Sequence, residues 1–291
     1  EDILFGAEQG FDFIAASFVR SAADVREIRA LLDQRDSQIR IIAKIENREG
    51  ISNLPEILAV ADGHGSDACG YSAVGAEIAA EVFCSLLADL WRGRQDRDLL
   101  ADLGREGEVL VAQRVEREWK RRVEEDYRQR QEEDPETEPA MVHKLYGTTL
   151  LGLLAAEGAC FAFQLGDGEI SYVDSGGCRE VVSGEKLLGV ETYSLSQKDA
   201  WQYAVAGLRR LEGTGPFAFL LSTDGFFYSH VNEQEYQKSC LAYFELLREE
   251  GPEPVRAHLA AWLDETSELG CGDDITLMIA YFDGKSEEED G

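Results

Sequence analysis

Val60-Ala61-Asp62-Gly63-His64-Gly65-Ser66 decides how this chain is read. A short apolar run ends in an acid, a glycine and a histidine, the pattern of a strand delivering a carboxylate to a turn. An Asp at a strand end is rigidly held, and a following Gly lets the backbone carbonyl come close to a cation. Asp62 is therefore a candidate metal ligand. Asp-Gly is also one of the commonest turn dipeptides, so the stretch alone favours a plain turn. The decision comes from the rest of the chain.

With 291 residues and 44% hydrophobic content, the chain can bury one large core or two modest ones. The 57 acidic residues against 28 basic ones leave a net charge of −29, which repels nucleic acid and anionic membrane and excludes both as partners. Phosphate would be repelled too, unless bound cations reverse the local field. Six scattered cysteines without a CxxC pair fit reduced core residues and a cytoplasmic location rather than disulfides or zinc. The most apolar long window, 148–165, is broken by Glu157-Gly158 and reads as a hairpin, not a membrane span. The chain opens on Glu1 rather than Met, as a piece of a longer protein would.

Upstream of the deciding stretch, 12–19 is a continuous apolar run suited to a strand buried on both faces. Ser21 caps a helix with Val25, Ile28, Leu31 and Leu32 at helical spacing, and 39–45 forms a second strand, giving a β-α-β unit with parallel strands. Downstream, 73–90 reads as an amphipathic helix lying on a sheet. The Arg- and Glu-dense stretch 107–134 reads as a long helix, solvated outside, with a thin stripe of Val111, Val115, Trp119, Val123 and Tyr127. From 145 the pattern turns to strands at 146–156, 160–165, 170–173 and 180–182, an antiparallel meander. Further strands are expected at 201–208, 217–222 and 275–282, helices at 232–249 and 254–267, and a frayed acidic tail from 285.

Three more acids repeat the setting of Asp62. Asp167 lies in Gly166-Asp167-Gly168 after a strand, Asp224 in Ser222-Thr223-Asp224-Gly225 after an apolar run, and Asp273 in Gly272-Asp273-Asp274 just before one. Four such strand ends exceed what turns alone require. Gathered on one edge of a sheet sandwich they would make an oxygen-only site suited to Mg²⁺ or Mn²⁺ and unsuited to zinc. His143, His230 and His258 read as surface or satisfied core residues.

At these residues the chain resembles the type 2C (PPM) metal-dependent serine/threonine protein phosphatases. Val60 to Gly65 with the Gly75-Ala76 helix, Tyr146-Gly147-Thr148-Thr149, Gln164-Leu165-Gly166-Asp167-Gly168, Leu221 to Gly225 and Gly272-Asp273-Asp274-Ile275-Thr276 occur in that family's order over 57–284. Gly-Ser after the histidine and the Gly-Asp-Gly turn are similar to its divergent bacterial branch. The resemblance implies an α+β fold, an α-β-β-α sandwich of antiparallel sheets flanked by helices. It also implies hydrolysis of phosphoserine and phosphothreonine in proteins, with two or more Mg²⁺ or Mn²⁺ ions and a monomeric enzyme. It makes Asp62 the carboxylate bridging two cations, the Gly63 carbonyl a ligand, Asp224 and Asp273 further ligands, Asp167 a ligand at a third position, and His64 the general acid. Asp274 stands where most members have Asn and is not expected to be a ligand. Paired cations acidify a shared water and neutralise phosphoryl oxygens, while an imidazole protonates the departing oxygen.

Residues 1–62 resemble a different family, the pyruvate kinase barrel. Asp2-Ile3-Leu4-Phe5-Gly6, Gln9 to Arg20, Asp24 to Arg29 and Ile42-Ala43-Lys44-Ile45-Glu46-Asn47 carry the likeness. There the residue matching Lys44 assists phosphoryl transfer and that matching Glu46 binds metal. The likeness ends where that family would continue to Ala-Arg-Gly-Asp, since this chain has His64-Gly65-Ser66-Asp67, and two strands cannot close a (β/α)₈ barrel. The expected organisation is a barrel remnant at 1–56, a phosphatase-like domain at 57–284 and an acidic tail at 285–291. Pyruvate-kinase-like sequence occupies the place where the phosphatases carry a phosphate-binding Arg and a second-metal acid. Arg40, Lys44, Glu46 and Arg48 lie near that point of the chain, and neither role is assigned to any of them. A pseudophosphatase that binds without turnover and a pyruvate kinase fragment are the two alternatives.

Overall fold

The computed structural model describes residues 13–16, 40–43 and 56–283, except 67, 93–95, 131–137, 157, 185–191 and 212–214. The chain divides into two compact units. Glu1–Glu56 with Ala155–Glu157 forms one, and Ile57–Leu154 with Gly158–Gly291 forms the other. In the first unit, β1 (Phe13–Ala16) and β2 (Arg40–Ala43) pair in parallel, Phe13 opposite Arg40 through Ala16 opposite Ala43. The parallel pairing expected of a β-α-β unit is present. The helix expected between the strands, Lys44, Glu46 and Arg48, and the acidic tail lie outside the described residues.

The second unit is an α-β-β-α sandwich. One sheet orders β3 (Glu56–Val60), β4 (Leu150–Ala156), β5 (Ala159–Leu165) and β8 (Val205–Arg210). The other orders β10 (Leu277–Phe282), β9 (Phe217–Ser222), β6 (Glu169–Asp174) and β7 (Gly177–Glu180), with every pair in it antiparallel. Every residue of β5 is buried, which is why its sequence is apolar but for Gln164 rather than alternating.

Helices α1 (Ser72–Arg92) and α2 (Asp96–Arg130) cover the first sheet. Phe83 of α1 fills the notch at Gly152 of β4, where an added Cβ would lie 2.3 Å from the ring, and its ring centroid is 5.7 Å from that of Phe163. Along α2, Leu99, Leu103, Val111, Val115, Trp119 and Val123 are buried. The outer face carries local ion pairs such as Arg121 with Glu118 and Glu125, each worth only tenths of a kcal/mol. This helix starts 11 residues before the expected 107. Gly104 and Gly107, which suggest a boundary, are packing notches: a Cβ on Gly107 would come 2.7 Å from the ring of Phe161. A short α3 (Pro139–Leu145) begins on its proline, which needs no hydrogen-bond partner in the first turn.

The second sheet is covered by α5 (Glu233–Glu250) and α6 (Pro252–Leu269), which follow the five-residue α4 (Asp224–Tyr228). Val173, Ala218, Leu220, Phe226, Tyr236, Cys240, Phe244 and Leu263 form the core there. The Asn232 side chain caps α5 by accepting from the Glu235 amide at 3.1 Å. Asn232→Ala is expected to cost about 1 kcal/mol in a urea titration, with the slope of the transition unchanged.

Three expectations about strands are corrected. The meander is divided: β4 and β5 form a hairpin around Gly158, but the chain then crosses to the other sheet at Gly166-Asp167-Gly168. The stretch 201–208 opens as a 3₁₀ turn (Ala200–Tyr203) after Asp199, whose φ of 54° lies in the left-handed region, and only then becomes β8. The strand before Asp62, expected over Leu58 to Ala61 as a central strand, forms at Glu56–Val60 and among the described residues lies at the edge of its sheet. No helix among the described residues is long and apolar enough to cross a membrane. The six cysteines are free thiols.

Candidate functional site

Asp62 is positioned by β3 and by a two-residue clasp from the opposite segment. Its carbonyl accepts from the Thr149 amide at 2.9 Å and from the Thr148 hydroxyl at 2.8 Å, and its amide donates to Thr149 Oγ1 at 3.1 Å. His64 continues the same antiparallel bridge, its amide donating to the Gly147 carbonyl at 3.1 Å. Gly63 sits opposite Thr148 at the non-bonded position of that bridge. Its carbonyl is thus left out of that ladder.

The other motifs lock onto this clasp in turn, and glycines make each contact possible. Gly166, at φ 110°, approaches the Thr149 side chain so closely that a Cβ would lie 2.6 Å from its methyl. Gln164 braces the same turn by donating to the carbonyls of Gly166 at 3.2 Å and Gly168 at 2.8 Å. Gly168 lies against the Ser222 carbonyl, and Gly225 against that of Asp274, at 2.6 and 2.5 Å from where a Cβ would stand. Thr223 and Thr276 close the chain: the Thr223 amide donates to the Thr276 carbonyl at 3.0 Å and the Thr276 amide to Thr223 Oγ1 at 2.9 Å.

This interlocking brings the four acids together. Burial, and then the charges of Asp224, Asp273 and Asp167, push the Asp62 carboxyl up to about 7. Asp224 is raised by the same causes, burial first and then Asp167 and Asp273. No three Asp, Glu, His or Cys side chains among the described residues are drawn in closely enough to hold an ion as they stand. Mutual repulsion of carboxylates opposes that convergence. His64 is shifted below its ordinary value, because burial disfavours the imidazolium more than Asp167 favours it. Asp274 is turned to structure, its carbonyl abutting Gly225 and its amide taken by Asp273 Oδ1 at 3.0 Å.

The remaining histidines are engaged elsewhere. His143 bonds to Glu124 at 2.8 Å, His230 bonds to the Phe226 carbonyl and Ser239 Oγ, each at 2.7 Å, and His258 packs on Trp262. Sequence reasoning missed a second layer. Ser194 Oγ accepts from the Thr148 amide at 3.1 Å, and the Leu195 amide donates to the Thr148 carbonyl at 3.0 Å, so a loop clamps the clasp from behind. That loop is tied to α2, because Lys120 donates to the Gln197 carbonyl at 2.8 Å and Glu116 accepts from the Trp201 amide at 2.8 Å. A Ser-Leu-Ser stretch and one more Glu-Lys pair on a charged helix carry no signal that would have marked them.

Comparison with known proteins finds two families along the chain, their matches overlapping at residues 50–85. Residues 1–85 match the family model described as pyruvate kinase, barrel domain. Pyruvate kinase of Geobacillus stearothermophilus is 67% identical over 63 residues, which span 21% of this chain and only 11% of that enzyme. A bacterial serine phosphatase structure superposes with a TM-score of 0.51 at 15% identity, covering 80% of this chain and 88% of that one. Serine/threonine phosphatase Stp1 from Staphylococcus aureus superposes with a TM-score of 0.50 at 16% identity, covering 79% and 85%. These likenesses establish the shared fold. The model described as protein phosphatase 2C matches residues 50–264, more than half of the chain and including Asp62, Asp167 and Asp224, and on that match the protein belongs to the protein phosphatase 2C family.

Proposed function

We propose that the second unit hydrolyses phosphoserine and phosphothreonine esters in proteins with two or more Mg²⁺ or Mn²⁺ ions. The observation that carries this reading is the Asp62 carboxyl, fixed by the Thr148-Thr149 clasp and held up to about 7 by burial and then by the charges of Asp224, Asp273 and Asp167. Acids gathered around a half-buried Asp62, with Asp167 and Asp224 half-buried and Asp273 exposed, are costly unless positive charge offsets them, and an all-oxygen set fits hard divalent cations. Asp62, Asp167, Asp224, Asp273 and the Gly63 carbonyl would hold the ions, which supply charge neutralisation at the phosphoryl oxygens and an acidified water. Asp62 is fixed through its backbone by Thr148 and Thr149, so its carboxylate is presented without reorganisation. His64, half-buried and shifted down, would protonate the departing serine or threonine oxygen.

Phosphate release from a phosphoserine peptide, measured with and without manganese, tests the reading. Manganese-dependent turnover that falls about a hundredfold or more in Asp224→Asn is expected. Unchanged turnover in that variant would remove Asp224 from the site.

A second reading, a pseudophosphatase that binds without turnover, is favoured by the segment preceding Asp62. It matches pyruvate kinase at 67% identity in the place where the phosphatases carry a phosphate-binding Arg and a second-metal acid. Calorimetric manganese binding with no hydrolysis would select it. Phosphoryl transfer from phosphoenolpyruvate to ADP is the weakest reading, because the matched segment spans 11% of that enzyme. The free thiols fit a cytoplasmic protein.

A further inference from the structure

We propose that Gly147 is a positioning residue for His64, its missing side chain being the slot in which the imidazole lies. The inference rests on the phosphatase reading for its functional consequence, but its geometry is independent of that reading. A Cβ on Gly147 would stand 2.6 Å from His64 Cδ2, well inside van der Waals contact. On other sides the same point meets Ser196 Oγ and the Lys144 carbonyl, each at 3.4 Å, so a methyl there has little other room. Backbone conformation does not explain the glycine, because Gly147 is absent from the positive-φ residues among those described. Its main chain is occupied like that of any residue, the amide donating to the Lys144 carbonyl at 3.3 Å and the carbonyl accepting from His64 at 3.1 Å. The backbone would therefore accept Ala, and the cost would fall on the ring, the far end of a side chain able to rotate.

The hydrogen bond between the His64 amide and Gly147 fixes where the His64 Cα lies, and the slot fixes where the ring points. A proton donor must stand within about 3 Å of the atom it protonates, so a ring swung aside by a methyl loses its reach while the carboxylates keep theirs. The steric origin sets a pattern of loss. Departure of a serine alkoxide needs a proton, whereas departure of a nitrophenolate does not.

The test uses the full chain. In the protein without added metal, the histidine ring resonances are compared between wild type and Gly147→Ala. The His64 signal, assigned by its loss in His64→Ala, is expected to move, while those of His143, His230 and His258 hold. With manganese, Gly147→Ala is expected to lose about a hundredfold more rate on a phosphoserine peptide than on 4-nitrophenyl phosphate. Adding Gly147→Ala to His64→Ala is expected to cost nothing further, since the glycine acts through the ring. An unmoved His64 resonance, equal losses on both substrates, a further loss in the double variant, or a Gly147→Ala chain that fails to fold would each overturn the inference. If His64→Ala itself shows no dependence on the leaving group, the acid role of His64 fails while the resonance shift still decides whether Gly147 sets the ring.

Discussion

Asp62→Asn is expected to reduce manganese-dependent phosphate release about a thousandfold or more and, in the metal-free chain, to raise the melting temperature. The two effects share one cause. Asp62 is the carboxyl on which the charges of Asp224, Asp273 and Asp167 all converge. An amide removes a charge that cations would need and that the apoprotein is strained to accommodate. The folded carboxyl keeps its proton up to about 7 against an ordinary 3.8. Below the ordinary value both folded and unfolded chains hold the proton and nothing is lost. As pH rises through the interval, the unfolded state ionises first and stability falls, reaching its full cost above about 7. After allowing for solvent screening of a half-buried group, that cost is about 2 kcal/mol. The apoprotein should therefore melt at a lower temperature at pH 8 than at pH 5.5, and Asp62→Asn should flatten the difference. A variant that melts like wild type at both pH values would show that the four acids are not coupled.

Gly75→Ala is expected to be the most damaging single methyl addition in the second unit. An added Cβ would stand 1.9 Å from the Tyr146 carbonyl oxygen and 2.8 Å from its carbon. The clash is with backbone, so no rotamer change relieves it. The Gly75 carbonyl also accepts from the buried Trp119 indole at 2.9 Å, so moving α1 outward breaks the bond that ties α1 to α2. A loss of about 3 kcal/mol or more is expected, read as a shift of the urea midpoint. Catalysis should fall with it, because Tyr146 leads directly into the Gly147 to Thr149 clasp on Asp62. A midpoint within experimental error of wild type would mean that α1 does not approach this carbonyl.

The gathering of four acids was legible in the sequence. Asp62, Asp167, Asp224 and Asp273 announce themselves because each pairs a charged residue with a glycine at the end of an apolar run, and the fold places those ends together. Long buried runs such as Ala159–Leu165 were equally plain. What the sequence could not carry was which sheet a strand joins. Gly166-Asp167-Gly168 reads as a hairpin, but the chain uses it to change sheets, and the local residues are the same in either case. Trp201 and Tyr203 have the apolar look of a strand, and a left-handed Asp199 diverts them into a 3₁₀ turn. Gly104 and Gly107 look like a helix boundary because glycine is a poor helix former, yet inside α2 they are what allows β5 and β8 to come close.

The crossing at Gly166 to Gly168 also governs how the enzyme would respond to mechanical disturbance. Asp62 projects from the end of the first sheet, while Asp224 and Asp273 adjoin strands of the second, and Asp167 sits on the chain between them. The carboxylate separations are therefore a gauge of the registry between two layers. A slip of about 1 Å between the sheets, too small to unfold either, would be felt in full at the four acids. Agents that lubricate the interlayer contact, such as moderate pressure or low urea, should then extinguish turnover while circular dichroism still reports an intact sandwich.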